Sequence, residues 1–500
     1  MGRRVTDSAA IESRVQRAMS ALAAHGIEEG DAVALLLRND IAFLEASLAV
    51  SRLGAYGVPL NWHAKPNEVE IVLRDSQAKL LIAHADLLAA LGAVSVPAVA
   101  VTTPQEILEA YALDARLARV PAGAADWNAW IEVHSAWSGA NRRPRGSIIY
   151  TSGTTGTPKG IQREPTGSAD QERLVTQTLR DSFGVRPEGR SLVCGPLYHS
   201  MQGANLRAAY DMLGERGVLV IESRFDAERL LARVAEHRIT QILMVPVMFV
   251  RLLRLDAAVR TRYRLDSLEW VVHSAAPCPI DVKKGMIEWF GPVMHEFYAA
   301  SEFGAVALIG SADALRKPGS VGRALPGCIV KVLDASGREL PVGATGEIAA
   351  LNTAYPDFTY RNRPEARAAL DRGGLIATGD IGHMDEEGFL FLSGRSSDMV
   401  ISGGVNIFPA EIEEVLLGCP GVADCAVFGI PDEEYGEALA AHIQPLPQRT
   451  LDELEVRAWL RERLPGFKTP RVIRFEAALP REDSGKIFKR RLREPYWTKR

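Results

Sequence analysis

Ten residues carry the chemistry that reads most directly from the chain. Positions 151–160 run Thr-Ser-Gly-Thr-Thr-Gly-Thr-Pro-Lys-Gly, immediately after the apolar stretch 147–150. The hydroxyls of Thr151, Ser152, Thr154, Thr155 and Thr157 can donate to phosphate oxygens. Gly153 and Gly156 let backbone approach those oxygens closely, and Lys159 supplies a point charge. A surface linker uses the same small polar residues. A lysine bracketed by Pro158 and Gly160 behind an apolar strand is unusual for a linker. The spacing also departs from the Walker pattern, because Gly160 stands where that motif carries Ser or Thr. The loop suits a triphosphate held in some other way.

Residues 150–160, YTSGTTGTPKG, resemble the signature loop of the adenylate-forming superfamily. That group includes acyl-CoA synthetases, firefly luciferase and nonribosomal-peptide adenylation domains. Further motifs follow in the family's order over nearly the whole chain. The resemblance implies that Thr151, Ser152, Gly153, Thr154, Thr155, Gly156 and Lys159 hold ATP phosphates. Residues 298–302, Tyr-Ala-Ala-Ser-Glu, are similar to the family's Tyr-Gly-x-Thr-Glu element. This puts Tyr298 on adenine, Ser301 on the α-phosphate and Glu302 on Mg²⁺, a hard cation that meets nucleotides through one or two protein carboxylates. The run from His273 through Ser274, Ala275 and Ala276 to Pro277 matches the family's adenine loop, with small residues against the base.

Four more segments extend the resemblance. Thr378-Gly379-Asp380 resembles the element whose aspartate accepts from both ribose hydroxyls, Arg395 matches a second ribose contact, and Asp398 matches the interdomain hinge. Residues 402–413 resemble the motif after the hinge, where Gly403 and Gly404 let the pantetheine arm of coenzyme A pass against backbone. Ser484-Gly485-Lys486-Ile487 resembles the loop of the family's adenylation lysine, making Lys486 catalytic beside Glu302. His199, in the run Pro196-Leu-Tyr-His-Ser, matches a histidine beside the acyl pocket that orders the substrate carboxylate. Two departures stand out. Ala299 replaces the usual glycine, and Ser397 replaces a lysine common just before the hinge.

The activity so implied is ATP-dependent formation of an acyl-adenylate from a small-molecule carboxylic acid, followed by transfer to coenzyme A. Two other readings stay open: loading of a carrier-protein phosphopantetheine, and an inactive nucleotide-binding homologue. Met201, Val245, Met248 and Phe249, beside the small Gly203 and Ala204, suit a fatty, alicyclic or aromatic acid. Amino-acid-activating relatives carry an aspartate near the start of this region; here the chain reads Pro196-Leu197-Tyr198-His199.

These residues need a frame. Apolar spacing predicts helices over 10–24, 41–53, 66–75, 170–183, 226–237 and 281–290. Strands are expected at 33–37, 57–60, 79–83, 147–150, 191–194, 217–221, 241–245, 268–273 and 293–297. Alternating strands and helices imply an α/β fold with parallel sheets covered by helices. From about residue 320, Gly, Pro and Asp turns punctuate short strands and suggest a small β subdomain. Residues after 394 read as a separate α+β unit. The expected division is an N-terminal adenylation domain over 1–393, a hinge over 394–398 and a mobile lid over 399–500.

At 500 residues the chain exceeds what one hydrophobic core usually serves. A net charge of −4 argues against a nucleic-acid partner. Cys194, Cys278, Cys328, Cys419 and Cys425 form no CxxC pair, which argues against a disulfide framework or zinc site. The N-terminus lacks the apolar segment of a secretory signal and no run is long enough to span a membrane, so a cytoplasmic location is expected. Oligomeric state is not encoded legibly.

Overall fold

The computed structural model describes residues 2, 4–151, 158–481 and 487–498. Ala32–Leu36 is buried along its whole length and sits inside a five-stranded sheet. The order is Tyr56–Pro59, Ala32–Leu36, Ala78–His84, Ala98–Val101, Ala125–Asp126, all parallel. Strands covered on both faces read as continuous apolar runs, which is why Ala-Val-Ala-Leu-Leu suffices here. Helix Ser8–Ala24 covers one face. Asp7 caps it by accepting the Ala10 N–H at 2.7 Å, and Ile11, Val15, Met19 and Leu22 form its buried stripe.

A second sheet of twelve strands positions the site. Val218–Ile221, Arg190–Val193, Gln241–Met244, Trp270–His273 and Met294–Ala300 lie side by side in parallel. Gly304–Gly310 then returns antiparallel, with Ala300 opposite Gly304. Gly304 has φ +76°, and a Cβ there would lie 2.6 Å from the Tyr355 ring, so the turn requires glycine.

The β-rich segment expected after residue 320 forms, joined edge to edge with this sheet. Ser320–Ala324 pairs with Gly304–Gly310 on one side and Leu390–Arg395 on the other. Leu375–Met384, Gly346–Asn352 and Cys328–Leu333 continue outward. Turn spacing reveals such strands but not the edge they join.

A third sheet is small and antiparallel: Ile149–Thr151, Lys159–Arg163 and Phe358–Tyr360. The fourth belongs to the C-terminal unit. Val405–Ile407, Val400–Ser402, Gly436–Pro445 and Val422–Asp432 pair antiparallel, with Val472–Phe475 parallel beside Gly436–Pro445. Helices Pro409–Leu417 and Glu453–Arg463 close a core of Val400, Ile407, Ile412, Leu416, Val427, Ile443, Val456 and Leu460. Polar contacts join the C-terminal unit to the rest of the chain, and the Phe408 ring lies against Gly394. Arg254 donates to the Ala423 carbonyl at 2.7 Å, and the Ile280 N–H hydrogen-bonds the Glu414 carboxylate. No helix among the described residues is long and apolar enough to cross a membrane, and all five cysteines are free.

Candidate functional site

Four segments singled out from the sequence follow four adjacent parallel strands at their C-terminal ends. His199 lies beyond Arg190–Val193, Val245–Phe249 beyond Gln241–Met244, Ser274–Pro277 beyond Trp270–His273, and Ser301–Glu302 beyond Met294–Ala300. Ligands in open α/β sheets bind at this edge. His199 takes the N-cap position of helix Ser200–Met212, half-buried, its ring 5.4 Å from that of Tyr198. Ala275 is held at φ +76°, a conformation that an alanine adopts at a cost and that recurs at binding sites. It is exposed, between buried Ser274 and half-buried Ala276.

The small antiparallel sheet carries the strands on either side of the segment expected to bind phosphate. Thr151 lies opposite Lys159, so residues 152–157 join two paired strands. Ser152, Gly153, Thr154, Thr155 and Gly156 themselves lie outside the described residues, as does Lys486. A Cβ on Gly160 would sit 2.8 Å from the Tyr150 ring, so close strand packing accounts for that glycine. Tyr150 in turn donates to Asp75 at 2.7 Å, and Arg363 pairs with the same carboxylate at 2.9 Å.

The third strand of this sheet brings Lys159 and the acidic residue onto one tyrosine. Lys159 Nζ stands 5.3 Å from the Tyr360 ring centroid, and the Tyr360 hydroxyl donates to Glu302 Oε1 at 2.7 Å. Arg163, two turns of the pleat beyond Lys159, donates to the carbonyls of Pro356 (2.8 Å) and Ser301 (3.0 Å), and to that of Glu302. Its guanidinium also lies over the rings of Tyr355 and Phe358. Burial lowers the Arg163 pKa from its usual value. One ladder therefore fixes Lys159, the backbone of residues 301 and 302, and the Glu302 carboxylate. Ser301 is half-buried in the same turn.

Tyr298 and Asp380, assigned separately to base and ribose, form one hydrogen-bonded unit. Tyr298 donates to Asp380 Oδ2 at 2.6 Å, Thr378 to the same oxygen at 3.1 Å, and Arg395 Nε to Oδ1 at 2.9 Å. The Tyr298 ring is buried against Ile161 and Phe303, and burial, together with the Asp380 charge, pushes its hydroxyl pKa up. The strand pairing explains the grouping, since Asp380 lies directly opposite Arg395.

Arg395, Ser396, Ser397 and Asp398 are exposed, and the Asp398 N–H bonds the Arg395 carbonyl at 3.1 Å. Gly403 and Gly404, with φ +57° and +81°, form the two-residue turn of the hairpin Val400–Ser402 and Val405–Ile407. Such a turn needs positive φ at both positions, which by itself accounts for both glycines. Sequence reasoning missed Tyr360, Arg163 and Asp75. The available signal was an arginine and a tyrosine within otherwise strand-like segments, facing no obvious partner in the local sequence.

Comparison with known proteins completes the picture. A family model described as "AMP-binding enzyme" matches residues 8–352, and one described as "AMP-binding enzyme C-terminal domain" matches residues 411–486. A feruloyl-CoA synthase of Amycolatopsis sp is 33% identical over 502 residues, covering 98% of this chain and 93% of that protein. The long-chain-fatty-acid–CoA ligase FadD13 of Mycobacterium tuberculosis is 33% identical over 492 residues, covering 98% and 92%. Among solved structures, ATP-bound MatB from Rhodopseudomonas palustris superposes with a TM-score of 0.81 at 29% identity, covering 98% of this chain and 93% of that one.

Proposed function

The chain belongs to the AMP-binding enzyme family, and from that premise we propose how its own residues divide the chemistry. It is an AMP-forming acid–thiol ligase: a carboxylic acid is activated as its acyl-adenylate with ATP and passed to coenzyme A. The single observation that carries the assignment of roles is the meeting of Lys159 and Glu302 on Tyr360, beside the Tyr298–Asp380–Arg395 cluster.

In the first step a carboxylate oxygen attacks the α-phosphorus and pyrophosphate leaves. Both reactants are anionic, so the protein's part is positioning and charge neutralisation. Lys159 and the 151–157 hydroxyls hold the β- and γ-phosphates, and Ser301 hydrogen-bonds the α-phosphate. Asp380 and Arg395 take the ribose, while Tyr298 and residues 274–277 border the base. Lys486 reaches between carboxylate and α-phosphate, and His199 orders the carboxylate.

The donor set fits Mg²⁺ arriving with the nucleotide. One carboxylate, Glu302, is held by Tyr360, whose ring lies under Lys159, and no cluster of three or more metal-ligating side chains occurs among the described residues. Glu302 would hold the ion, which when bound supplies neutralisation of phosphate charge. In the second step the thiol sulfur attacks the acyl carbonyl and AMP leaves. Residues 399–500 act as a lid turning at 394–398 about Asp398, with the Gly403–Gly404 turn facing the pantetheine arm.

The acid is fatty, alicyclic or aromatic. Relatives named for ferulate, long-chain fatty acids and indoleacetate point the same way as the apolar walls Met201, Val245, Met248 and Phe249. A pyrophosphate-release screen over aryl, alicyclic and fatty acids, with and without coenzyme A, tests this. Release with one of these classes, coupled to CoA consumption, is expected. Release coupled only to a carrier protein would overturn the acceptor, and no release with any acid would overturn the assignment of roles.

A further inference from the structure

Tyr360 has no assigned part in the steps above, yet it touches both charges that those steps depend on. We infer that Tyr360 is a positioning residue for the metal–nucleotide complex. Its hydroxyl fixes the Glu302 carboxylate through Oε1, and its ring face seats Lys159. The inference rests on the reading of Glu302 and Lys159 given above.

Three observations carry it. The hydrogen bond from Tyr360 to Glu302 Oε1 is 2.7 Å, a charge-assisted length, and Oε2 has no hydrogen-bond partner among the described residues. One oxygen is thus used for orientation while the other stays available to a cation. Lys159 Nζ at 5.3 Å from the ring centroid lies within cation–π range. Tyr360 is itself locked: it sits opposite Ile161 in the ladder, its ring packs edge-on to Phe358 at 5.4 Å, and the following Arg361 N–H bonds the Gly160 carbonyl at 2.8 Å.

The arrangement has a chemical logic. The Tyr360 phenol is the donor and the Glu302 carboxylate the acceptor of their hydrogen bond. A donor that holds one carboxylate oxygen sets the direction of the other. Groups that orient a ligating carboxylate typically change metal affinity by about 10–100-fold when removed. The ring does a second job. It confines a long flexible lysine to one region beside the loop, without the competing negative charge that a carboxylate partner would bring.

Binding measurements on the full chain separate these roles without turnover. Free Mn²⁺ is followed by electron paramagnetic resonance in the presence of a non-hydrolysable ATP analogue, and analogue binding without metal is followed by calorimetry. The variants are Tyr360→Phe, Tyr360→Leu, Glu302→Gln and the Tyr360→Phe/Glu302→Gln pair. Tyr360→Phe should weaken Mn²⁺ about tenfold and leave metal-free analogue affinity within about twofold. Tyr360→Leu should weaken metal-free binding as well, because Lys159 loses its ring. The double variant should be no weaker for Mn²⁺ than Glu302→Gln alone, since both act through one carboxylate.

Unchanged Mn²⁺ affinity in Tyr360→Phe, with a loss in Glu302→Gln, overturns the positioning role and leaves the Glu302 assignment standing. Unchanged affinity in both removes the Glu302 assignment and the inference with it. Equal loss of metal-dependent and metal-free binding in Tyr360→Phe, with a lowered unfolding midpoint, reduces Tyr360 to a packing residue and also overturns the inference.

Discussion

The nucleotide side of the site and the C-terminal unit are built on opposite principles. Lys159, Glu302 and the 301–302 backbone are gathered by a three-stranded ladder whose side chains bond to one another across long stretches of chain. Residues 400–473 close a core of their own, and contacts such as Arg254 to Ala423 and Glu414 to Ile280 link them to the rest through single polar groups. The first region holds its groups in one geometry, which is what the proposed neutralisation of phosphate charge requires. The second has a core of its own, which is what the proposed lid serving two half-reactions needs.

The largest effect should come from Lys486, which the proposed mechanism assigns to the lid. Lys486→Ala is expected to lower adenylation at least about 10³-fold while sparing thioester formation from supplied acyl-adenylate. Equal loss in both half-reactions would remove the two-state comparison. Next, Glu302→Gln should lower the pyrophosphate-forming rate by about 10²–10³-fold with little change in the unfolding midpoint, marking a charge used in chemistry.

Arg163→Met probes the rigid side through stability. It leaves three carbonyls without their donor, so urea unfolding should show a loss of about 3 kcal/mol, accompanied by slower adenylation. A silent Arg163→Met would mean that the ladder does not hold the 301–302 turn. Arg254→Ala should be milder. It removes one hydrogen bond between the units, worth about 1 kcal/mol, and should change the ratio of the two half-reaction rates by about fivefold without altering the unfolding midpoint of residues 400–473. Smallest of all, Gly404→Ala places a Cβ at φ +81° and should cost the C-terminal unit about 1 kcal/mol in thermal unfolding.

The contrast also explains what was legible in the sequence. Lys159, Glu302, Asp380 and the alternation of strands and helices are local patterns, readable because motif and periodicity occupy neighbouring positions. Tyr360 and Glu302 are 58 positions apart, Tyr298 and Asp380 82, and Arg163 and Glu302 139. Those pairings depend on strand register, which residue types alone do not state. The same reason hid the junction of the strands after residue 320 with the large sheet. Gly403 and Gly404 were legible as important, but the hairpin turn gives them a conformational reason independent of any ligand.

The segments proposed as acid-side walls follow strand ends whose alignment is made by main-chain hydrogen bonds between parallel neighbours. Those bonds do not consult the side chains beyond them. Of those side chains, Leu197, Val245, Met248 and Phe249 are buried in the core while Met201 and Gly203 are half-buried, so exchange for the residues of another ligase should disturb the fold least at 201 and 203. For an engineer, libraries confined to these half-buried positions should retain ATP handling while sampling new acids.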